Sequence, residues 1–472
     1  MIAAPTYALT APPEIEPAPL LKFSFYCFCI FNLAYYSRFF EWQLWYLHVP
    51  LVTSSIALLG AAMEGKLLST LGSKIGMCMA ALTVLYAINV PFSSWMAGSF
   101  RTFTQEWLKS LTAFLIAGAL VTTVRHCRIS LNSIGFGAGM GAVLVIWKGQ
   151  IIDGRLAMGH GTFGNANEIA FDVLLGLPFL TLIVLDGKSG KLKRLLAFCL
   201  IGASVVTLIR TGSRTGIIGF AVLCFLLFLR ASIAGKAAMA FVAIVFVGAV
   251  MTIFPHALKE RYLSIFLGSN VMETAQNNAE ARQLDYAVSS SAARRRLLMN
   301  AIKVSISHPV FGVGIGEFGS YMSGVEKLEG LHSGWQGTHN TYLQVSAEAG
   351  TPALIVFVTM MWLSFKGLRR LYKRADLIAA PEGRDIANMA FALNASLVAY
   401  AVCVTFDYVA YSATLPVLAG FSVALVQAGK TSLDALEQRN NGAPQVQLVN
   451  WMPVNPARRW VRPSGVRPTG PA

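Results

Sequence analysis

Long apolar stretches separated by short polar segments dominate the chain. A helix needs about 20 mostly apolar residues to cross a bilayer, and on that rule the pattern predicts about twelve spans. The fifth and eighth are short, and only a few residues separate the seventh from the eighth. We therefore expect an all-α, polytopic membrane helix bundle. The predicted spans are 21–36, 43–62, 75–95, 107–124, 131–147, 168–185, 194–210, 213–229, 237–255, 341–365, 387–406 and 410–428.

The spans divide the chain into five parts. Residues 1–20 form a polar N-terminal tail, and residues 21–255 carry transmembrane helices one to nine. A large, partly helical outer loop occupies 256–340, and helices ten to twelve occupy 341–428. The tail at 429–472 is rich in Pro, Gln, Asn and Arg, and we expect it to be disordered. Because the N-terminal tail has neither a basic region nor a small-residue cleavage site, we expect no cleavable signal peptide.

The distribution of basic residues between loops predicts the orientation. Lys and Arg are enriched in cytoplasmic loops, and placing both chain ends in the cytoplasm makes every inner loop basic. The outer loop at 256–340 then lies in the periplasm, if the cell has two membranes. The inner-loop residues are Lys66, Lys74, Arg125, Arg128, Lys188, Lys191, Lys193, Arg194, Arg230, Lys236, Lys366, Arg369, Arg370, Lys373, Arg374 and Arg384.

Composition supports the membrane class and narrows the chemistry. Only 13% of residues are charged, against about 25% in soluble domains. The net charge of +15 therefore reflects membrane topology, and we expect no nucleic-acid partner. None of the seven cysteines lies in the outer loop, and no CxxC spacing occurs. We expect no disulfide framework, metal site or cofactor.

The outer loop contains an amphipathic helix with an arginine on its apolar face. The sequence SSSAARRRLLMNAIKVSISHP predicts a helix from Ala292 to Ser307, opened by serines and closed by Pro309. At about 100° per residue, Arg294 projects from the middle of the apolar arc and Arg295 from its edge. A lone guanidinium there needs an anion to offset desolvation, so we interpret Arg294 as facing a ligand; a structural salt bridge and the membrane surface are the alternatives. The arc contains Leu297, Leu298, Ala301, Ile302, Val304 and Ser305, and Arg296, Asn300 and Lys303 lie opposite.

Two other outer positions carry candidate site residues. The turn RTGSRTG places Arg210 and Arg214 where two spans meet. Charge at the rim of a bundle usually marks function, although snorkelling to lipid headgroups explains Arg210 equally well. His339 precedes the tenth span beside Asn340 and Tyr342. A potential base near anion-binding groups is a recurring catalytic arrangement, so we expect His339 to be catalytic.

Three further features have a weaker link to function. The loop DGRLAMGHGTFGNANE adds Arg155 and His160 as candidate substrate-binding cations on the outer face. Asp172 and Glu348 lie a few turns into their spans, and we expect both to be buried groups that fix packing. The glycine-rich run GVGIGEFG follows no predicted strand, so it indicates a turn and not a nucleotide-binding loop.

Four of these segments together resemble the O-antigen ligase and polymerase superfamily, over roughly residues 150–370. They are GTFGNANEIA, SRTGIIGF, SAARRRLLMNAIKVSISHPVFGVGIGEF and HNTYLQVSAEAGTPALI. The resemblance implies a metal-independent membrane glycosyltransferase that takes a glycan from undecaprenyl diphosphate at the periplasmic face. By motif, the two arginines and the histidine of the ligase site fall on Arg214, Arg294 and His339. Arg294 is preferred to Arg295 because it lies fifteen residues before Pro309, which is the spacing of the arginine and the proline in the family's motif.

The implied chemistry agrees with the residues. Arginine forks stabilise a diphosphate leaving group, and a histidine accepts a proton from an acceptor hydroxyl. We therefore expect Arg214, Arg294 and His339 to be catalytic. The expected substrate-binding residues are Arg155, His160, Arg210, Arg295, Asn340 and Tyr342.

The resemblance also implies the partners and leaves alternatives open. The donor is an undecaprenyl-diphosphate-linked glycan, and the acceptor is lipid A-core for a ligase or a growing glycan for a polymerase; membrane lipids surround the protein. The implied location is the bacterial inner membrane. Ligases of protein glycosylation belong to the same superfamily. A transporter of lipid-linked glycans, the alternative of another class, predicts polar residues along a path through the bundle. Here the cationic residues gather at one face, which favours an enzyme.

Overall fold

The computed structural model describes residues 19–42, 44–152, 154–159, 161–187, 189–237, 239–241, 259, 262, 278–328, 330 and 335–442. The described chain is almost entirely helical, which confirms the all-α class. One short antiparallel hairpin, β1 (Gln150–Ile152) and β2 (Arg155–Ala157), pairs Ile151 with Leu156.

The first eleven helices run from the beginning of the described chain to Arg230. They are α1 (Pro19–Ser37), α2 (Phe39–Trp42), α3 (Val49–Met63), α4 (Leu67–Leu71), α5 (Lys74–Asn89), α6 (Met96–Thr102), α7 (Leu108–Leu120), α8 (Val124–Lys148), α9 (Ala166–Leu185), α10 (Lys191–Arg210) and α11 (Arg214–Arg230).

Five more helices lie in the described residues from 278 onwards. They are α12 (Asn278–Ser307), α13 (Phe318–Leu328), α14 (Thr341–Asp376), α15 (Pro381–Cys403) and α16 (Thr414–Gly442). Short 3₁₀ turns at Trp45–Leu47, Val90–Phe92 and Thr162–Gly164 and a π turn at Phe103–Trp107 join the longer elements.

Seven described helical segments are long and apolar enough to cross a membrane, which establishes a multi-pass bundle. The ninth predicted span, 237–255, lies almost entirely outside the described residues. The seven are Trp45–Met63, Lys74–Phe92, Val124–Lys148, Ala166–Leu185, Lys191–Arg210, Thr341–Asp376 and Pro381–Cys403.

The fifth predicted span is longer than expected. Helix α8 begins at Val124 because the side chain of Thr123 caps it, accepting a hydrogen bond from the backbone N–H of His126 at 3.0 Å. Arg128, which we assigned to an inner loop, therefore lies on the helix. It forms ion pairs with Asp186 and Asp385, which allows its charge to sit against the bundle.

Two other predicted boundaries are wrong. The amphipathic helix begins at Asn278 and not at Ala292, so the serines before Ala292 lie inside it. The last helix continues to Gly442, so residues 429–442 of the predicted disordered tail are helical. Arg374 of α14 donates to Asp434 at 2.5 Å and to Glu437 at 2.7 Å, which fastens this polar extension to the bundle. Residues 443–472 lie outside the described part of the chain.

The bundle core positions three elements at one end. Helix α14 packs against α5, α15 and α16, and α12 packs against α14. Helix α15 packs against both α9 and α11. The charge of Arg294 in the middle of α12 acts on Arg214 at the start of α11 and on His339 before α14, so these three points lie near one another.

Helix α14 is kinked at Gly350. This residue has φ 83° and ψ 170°, a conformation open essentially only to glycine. A Cβ there would lie 2.1 Å from the carbonyl oxygen of Val310. The kink admits the chain that follows α12, and the N–H of Thr351 donates to the carbonyl of Pro309 at 2.8 Å. The loop after α12 is thereby packed into the side of α14.

Candidate functional site

His339 lies directly before α14 in a left-handed conformation, with φ 50°. That backbone is uncommon for residues other than glycine, and it turns the chain sharply into the helix. Asn340 is the N-cap, and its side-chain oxygen accepts a hydrogen bond from the N–H of Leu343 at 2.9 Å. The imidazole thus sits outside the helix, half-buried at its N-terminal end.

The turn between α15 and α16 fixes this segment. The N–H of Thr341 donates to Val404 at 2.8 Å, and the hydroxyl of Thr341 donates to the carbonyl of Asp407 at 2.9 Å. The Tyr408 ring meets the His339 ring edge-to-face, with centroids 5.1 Å apart. These contacts leave the imidazole little freedom to move relative to the bundle.

Asn340 and Tyr342, two expected substrate-binding residues, are bonded to the protein. Besides capping α14, Asn340 donates its amide to the carbonyl of Thr405 at 3.0 Å. The Tyr342 hydroxyl donates to the carbonyl of Ala401 at 3.1 Å. Both side chains therefore hold the His339 segment in place.

Arg294 lies on the face of α12 that packs against the protein. Leu297, Ala301 and Val304, all of the predicted apolar arc, are buried against Phe318 and other residues of α13 and α14. Arg294 continues this face one turn earlier and is half-buried, whereas Arg295 and Arg296 are exposed. The predicted orientation of the helix is confirmed.

Arg296 has a structural contact of its own. Its guanidinium lies 4.0 Å from the carboxylate of Glu326 on α13. An exposed pair at that distance contributes little stability. Arg296 thus differs from Arg294 in environment while sharing its chemistry.

Arg214 is the first residue of α11, where a network of hydrogen bonds holds the preceding turn. Ser213 caps the helix by accepting from the N–H of Gly216 at 3.2 Å. The hydroxyl of Ser213 donates to the side-chain oxygen of Asn167 at 3.0 Å. The same oxygen accepts from Arg155 at 2.6 Å, and Arg155 also donates to the carbonyl of Thr211 at 2.8 Å.

This network changes the interpretation of Arg155. Its guanidinium, expected to bind substrate, ties β2 to the start of α9 and to the turn before Arg214. Arg210 is the exposed last residue of α10. His160 lies outside the described residues, so its predicted role stays a prediction.

The charge of Arg294 acts on the other two expected catalytic residues, His339 and Arg214. Burial, and then the positive charge of Arg294, lower the pKa of His339 to about 4. The Arg294 and Arg214 guanidinium groups are close enough to repel each other. The structure therefore brings together the two arginines and an imidazole that is neutral at physiological pH.

Asp407, which is not among the predicted site residues, also belongs to this cluster. Burial raises the pKa of its carboxyl, and the N–H of Tyr408 and the charge of Arg294 only partly offset that effect. Burial, and then the negative charges of Asp407 and Glu168, raise the pKa of the neighbouring Tyr408 phenol. The available signal was a polar pair in a short turn at the outer end of two spans. Chemically, the cluster offers cationic groups for an anion and a neutral base beside them.

Residues 197–358 match the family model described as O-Antigen ligase. The O-antigen ligase match covers about a third of the chain and includes Arg214, Arg294 and His339. No curated protein matches the chain. The match supports the O-antigen ligase superfamily and indicates a membrane enzyme of the ligase or polymerase type.

The electrostatic link between Arg294 and His339 is testable without an activity assay. Nuclear magnetic resonance of the histidine side chains, assigned with His339→Gln, should show His339 titrating well below the ordinary pKa of about 6.5. In Arg294→Gln this pKa should rise, because a nearby positive charge disfavours the imidazolium. Arg296→Gln is the matched control and should leave the pKa unchanged. Equal pKa values in wild type and Arg294→Gln would show that the two side chains do not interact.

Proposed function

We propose that this cluster is the active site of a glycosyltransferase that moves a glycan from a polyprenyl diphosphate to a sugar hydroxyl. The observation that carries the proposal is the convergence of Arg214, Arg294 and a neutral His339 within the O-antigen ligase match. A donor of this kind is an undecaprenyl-diphosphate-linked glycan. Its lipid part explains a site at the rim of a membrane bundle.

The reaction assigns one task to each group. The acceptor oxygen attacks the anomeric carbon, the bond from that carbon to the diphosphate oxygen breaks, and the diphosphate leaves on its lipid. Arg214 and Arg294 stabilise the charge that develops on the leaving group, and His339 takes the proton of the acceptor hydroxyl. The anionic donor counteracts the Arg294 charge, which raises the pKa of His339 and makes it a stronger base when substrate is bound.

The proposed orientation follows from the loop charges. The site then faces the periplasm of the inner membrane, and the opposite end of the bundle carries the basic inner loops. We propose lipid A-core as the acceptor, in line with the O-antigen ligase match, which makes the protein a ligase. A growing lipid-linked glycan as acceptor would make it a polymerase with the same chemistry.

A transfer assay with purified protein tests the function. We expect product when lipid-linked glycan is mixed with lipid A-core, and no product with the lipid-linked glycan alone. Longer chains from the donor alone would identify a polymerase, and the absence of both products would argue for another class, such as a transporter.

We expect the transfer activity to survive treatment with EDTA. Loss with EDTA that a divalent ion restores would contradict metal independence and direct attention to Asp153 or Asp407.

Three substitutions test the roles of the arginines and the histidine. Arg294→Ala should lose about 100-fold or more in rate, as for removal of a fixed charge-stabilising donor. Arg294→Lys should also be poor, because a point charge does not reproduce a bidentate fork. His339→Ala should lose about 10²- to 10⁴-fold, as for a missing general base. Arg296→Ala is the matched control, with little change expected.

The same variants should reach the membrane in wild-type amounts, since Arg294 acts on substrate and not on folding. Equal activity of Arg294→Ala and Arg296→Ala would remove α12 from the active site. The anion-binding role would then fall to Arg210 or Arg214.

Labelling tests the orientation. In a variant without native cysteines, Gly330→Cys should react with a membrane-impermeant thiol reagent in intact cells with a permeabilised outer membrane. Gly187→Cys should react only after lysis. No described atom lies within 4 Å of the new Cβ at either position, although Gly330 has φ 75° and a cysteine there strains the backbone. With expression of both variants checked, a difference in reactivity reports sidedness. The reverse pattern would overturn the orientation and the mechanism that depends on it.

A further inference from the structure

The glycine-rich loop after α12 surrounds a carboxylate of the protein itself. Gly312, Gly314 and Gly316 all have positive φ, at 67°, 113° and 79°. Loops of this kind turn successive N–H groups towards one point and bind anions. Here the N–H groups of Gly316 and Phe318 donate to the carboxylate of Glu348, at 3.0 and 3.2 Å.

Glu348 receives two more donors, both at the carboxylate oxygen that accepts from Gly316. The Tyr411 hydroxyl lies 2.7 Å from the carboxylate, and the side-chain amide of Gln344 lies 3.3 Å from it. The oxygen of the Gln344 amide accepts from the N–H of Ala410 at 3.1 Å, so its nitrogen faces Glu348. Two backbone N–H groups and this amide can only donate. An ionised carboxylate, which only accepts, satisfies them all.

The main chain of Glu348 joins the same assembly. Its carbonyl accepts from the N–H of Gly314 and from the side-chain amide of Asn89, both at 3.0 Å. The side-chain oxygen of Asn89 accepts from the N–H of Ile315 at 2.9 Å. One residue of α14 therefore fixes the loop through both its side chain and its backbone, with α5 behind it.

Each segment that meets at Glu348 leads to the candidate active site. The loop is the continuation of α12, which carries Arg294. Glu348 lies nine residues after His339 on α14. Tyr411 follows the turn that holds His339 through Thr341. The carboxylate is thus the common attachment of the elements that present the arginine, the histidine and the supporting turn.

We propose that Glu348 is a positioning residue whose carboxylate is the resident anion of the glycine loop and sets the placement of Arg294 relative to His339. The proposal rests on the proposed function for its effect on rate, but its geometric content does not depend on that function. Glu348→Gln keeps the size of the side chain and introduces an N–H₂ group among donors. The loop then loses a partner, and α12 is free to shift away from the start of α14.

The experiment compares Glu348→Gln with Glu317→Gln. Glu317 is also buried and belongs to the same loop, but its carboxylate accepts from Ser320 of the adjoining helix α13 and not from the loop. We expect Glu348→Gln to lower kcat by about 10- to 100-fold with a small change in KM, as for reacting groups misplaced by about 1 Å. The pKa of His339 should also rise, because Arg294 moves away. Glu317→Gln should change neither quantity.

Measuring the pKa of His339 distinguishes failure of the Glu348 proposal from failure of the proposed function. A Glu348→Gln protein with the wild-type His339 pKa overturns the proposal, whatever its activity. If Arg294→Ala and His339→Ala transfer glycan at the wild-type rate, the proposed function fails, and the pKa measurement still decides the role of Glu348. If Glu348→Gln yields no folded protein, Tyr411→Phe removes one donor and leaves the carboxylate. That variant should shift the pKa in the same direction by less, and no shift would overturn the proposal.

Discussion

The site depends on how the backbone is satisfied where α14 begins. Non-helical backbone at the rim of a membrane bundle needs partners within the protein, since few are available from lipid. The turn between α15 and α16 supplies them through Val404, Thr405 and Asp407, which accept from Asn340 and Thr341. Because these bonds fix the chain on the C-terminal side of His339, the residue can adopt a left-handed conformation without an open loop around it.

A second constraint is electrostatic. Two guanidinium groups that repel each other lie beside a neutral imidazole. In the mechanism proposed above, an anionic donor relieves that repulsion, so its binding also prepares His339 to act as the base. Perturbed groups gathered in this way are typical of functional sites. The buried carboxyl of Asp407 lies near Arg294 and adds an acidic group to this cluster.

Features that depend on residues close together in the sequence could be predicted from the sequence alone. Apolar length located the seven spans that the described residues contain, and the helical period of α12 separated Arg294 from Arg296. The roles of Arg155 and Asn340 could not be predicted in this way, because their partners Thr211 and Thr405 are 56 and 65 residues away in sequence. For the same reason the last helix was cut short. Its polar residues from 429 onwards suggested disorder, whereas Arg374 of another helix stabilises them.

Gly337 affects the orientation of the His339 imidazole indirectly, because it has no side chain and leaves room for the Tyr408 ring. A methyl group at this position would lie 2.5 Å from the Tyr408 ring, so that ring can rest against the chain only because residue 337 has none. The ring in turn lies edge-on to His339. In the mechanism proposed above, the rotational entropy of the imidazole is therefore lost once, when the protein folds, and not again at every turnover. Part of the activation entropy of the reaction is in this sense encoded by a missing side chain two residues away from the base.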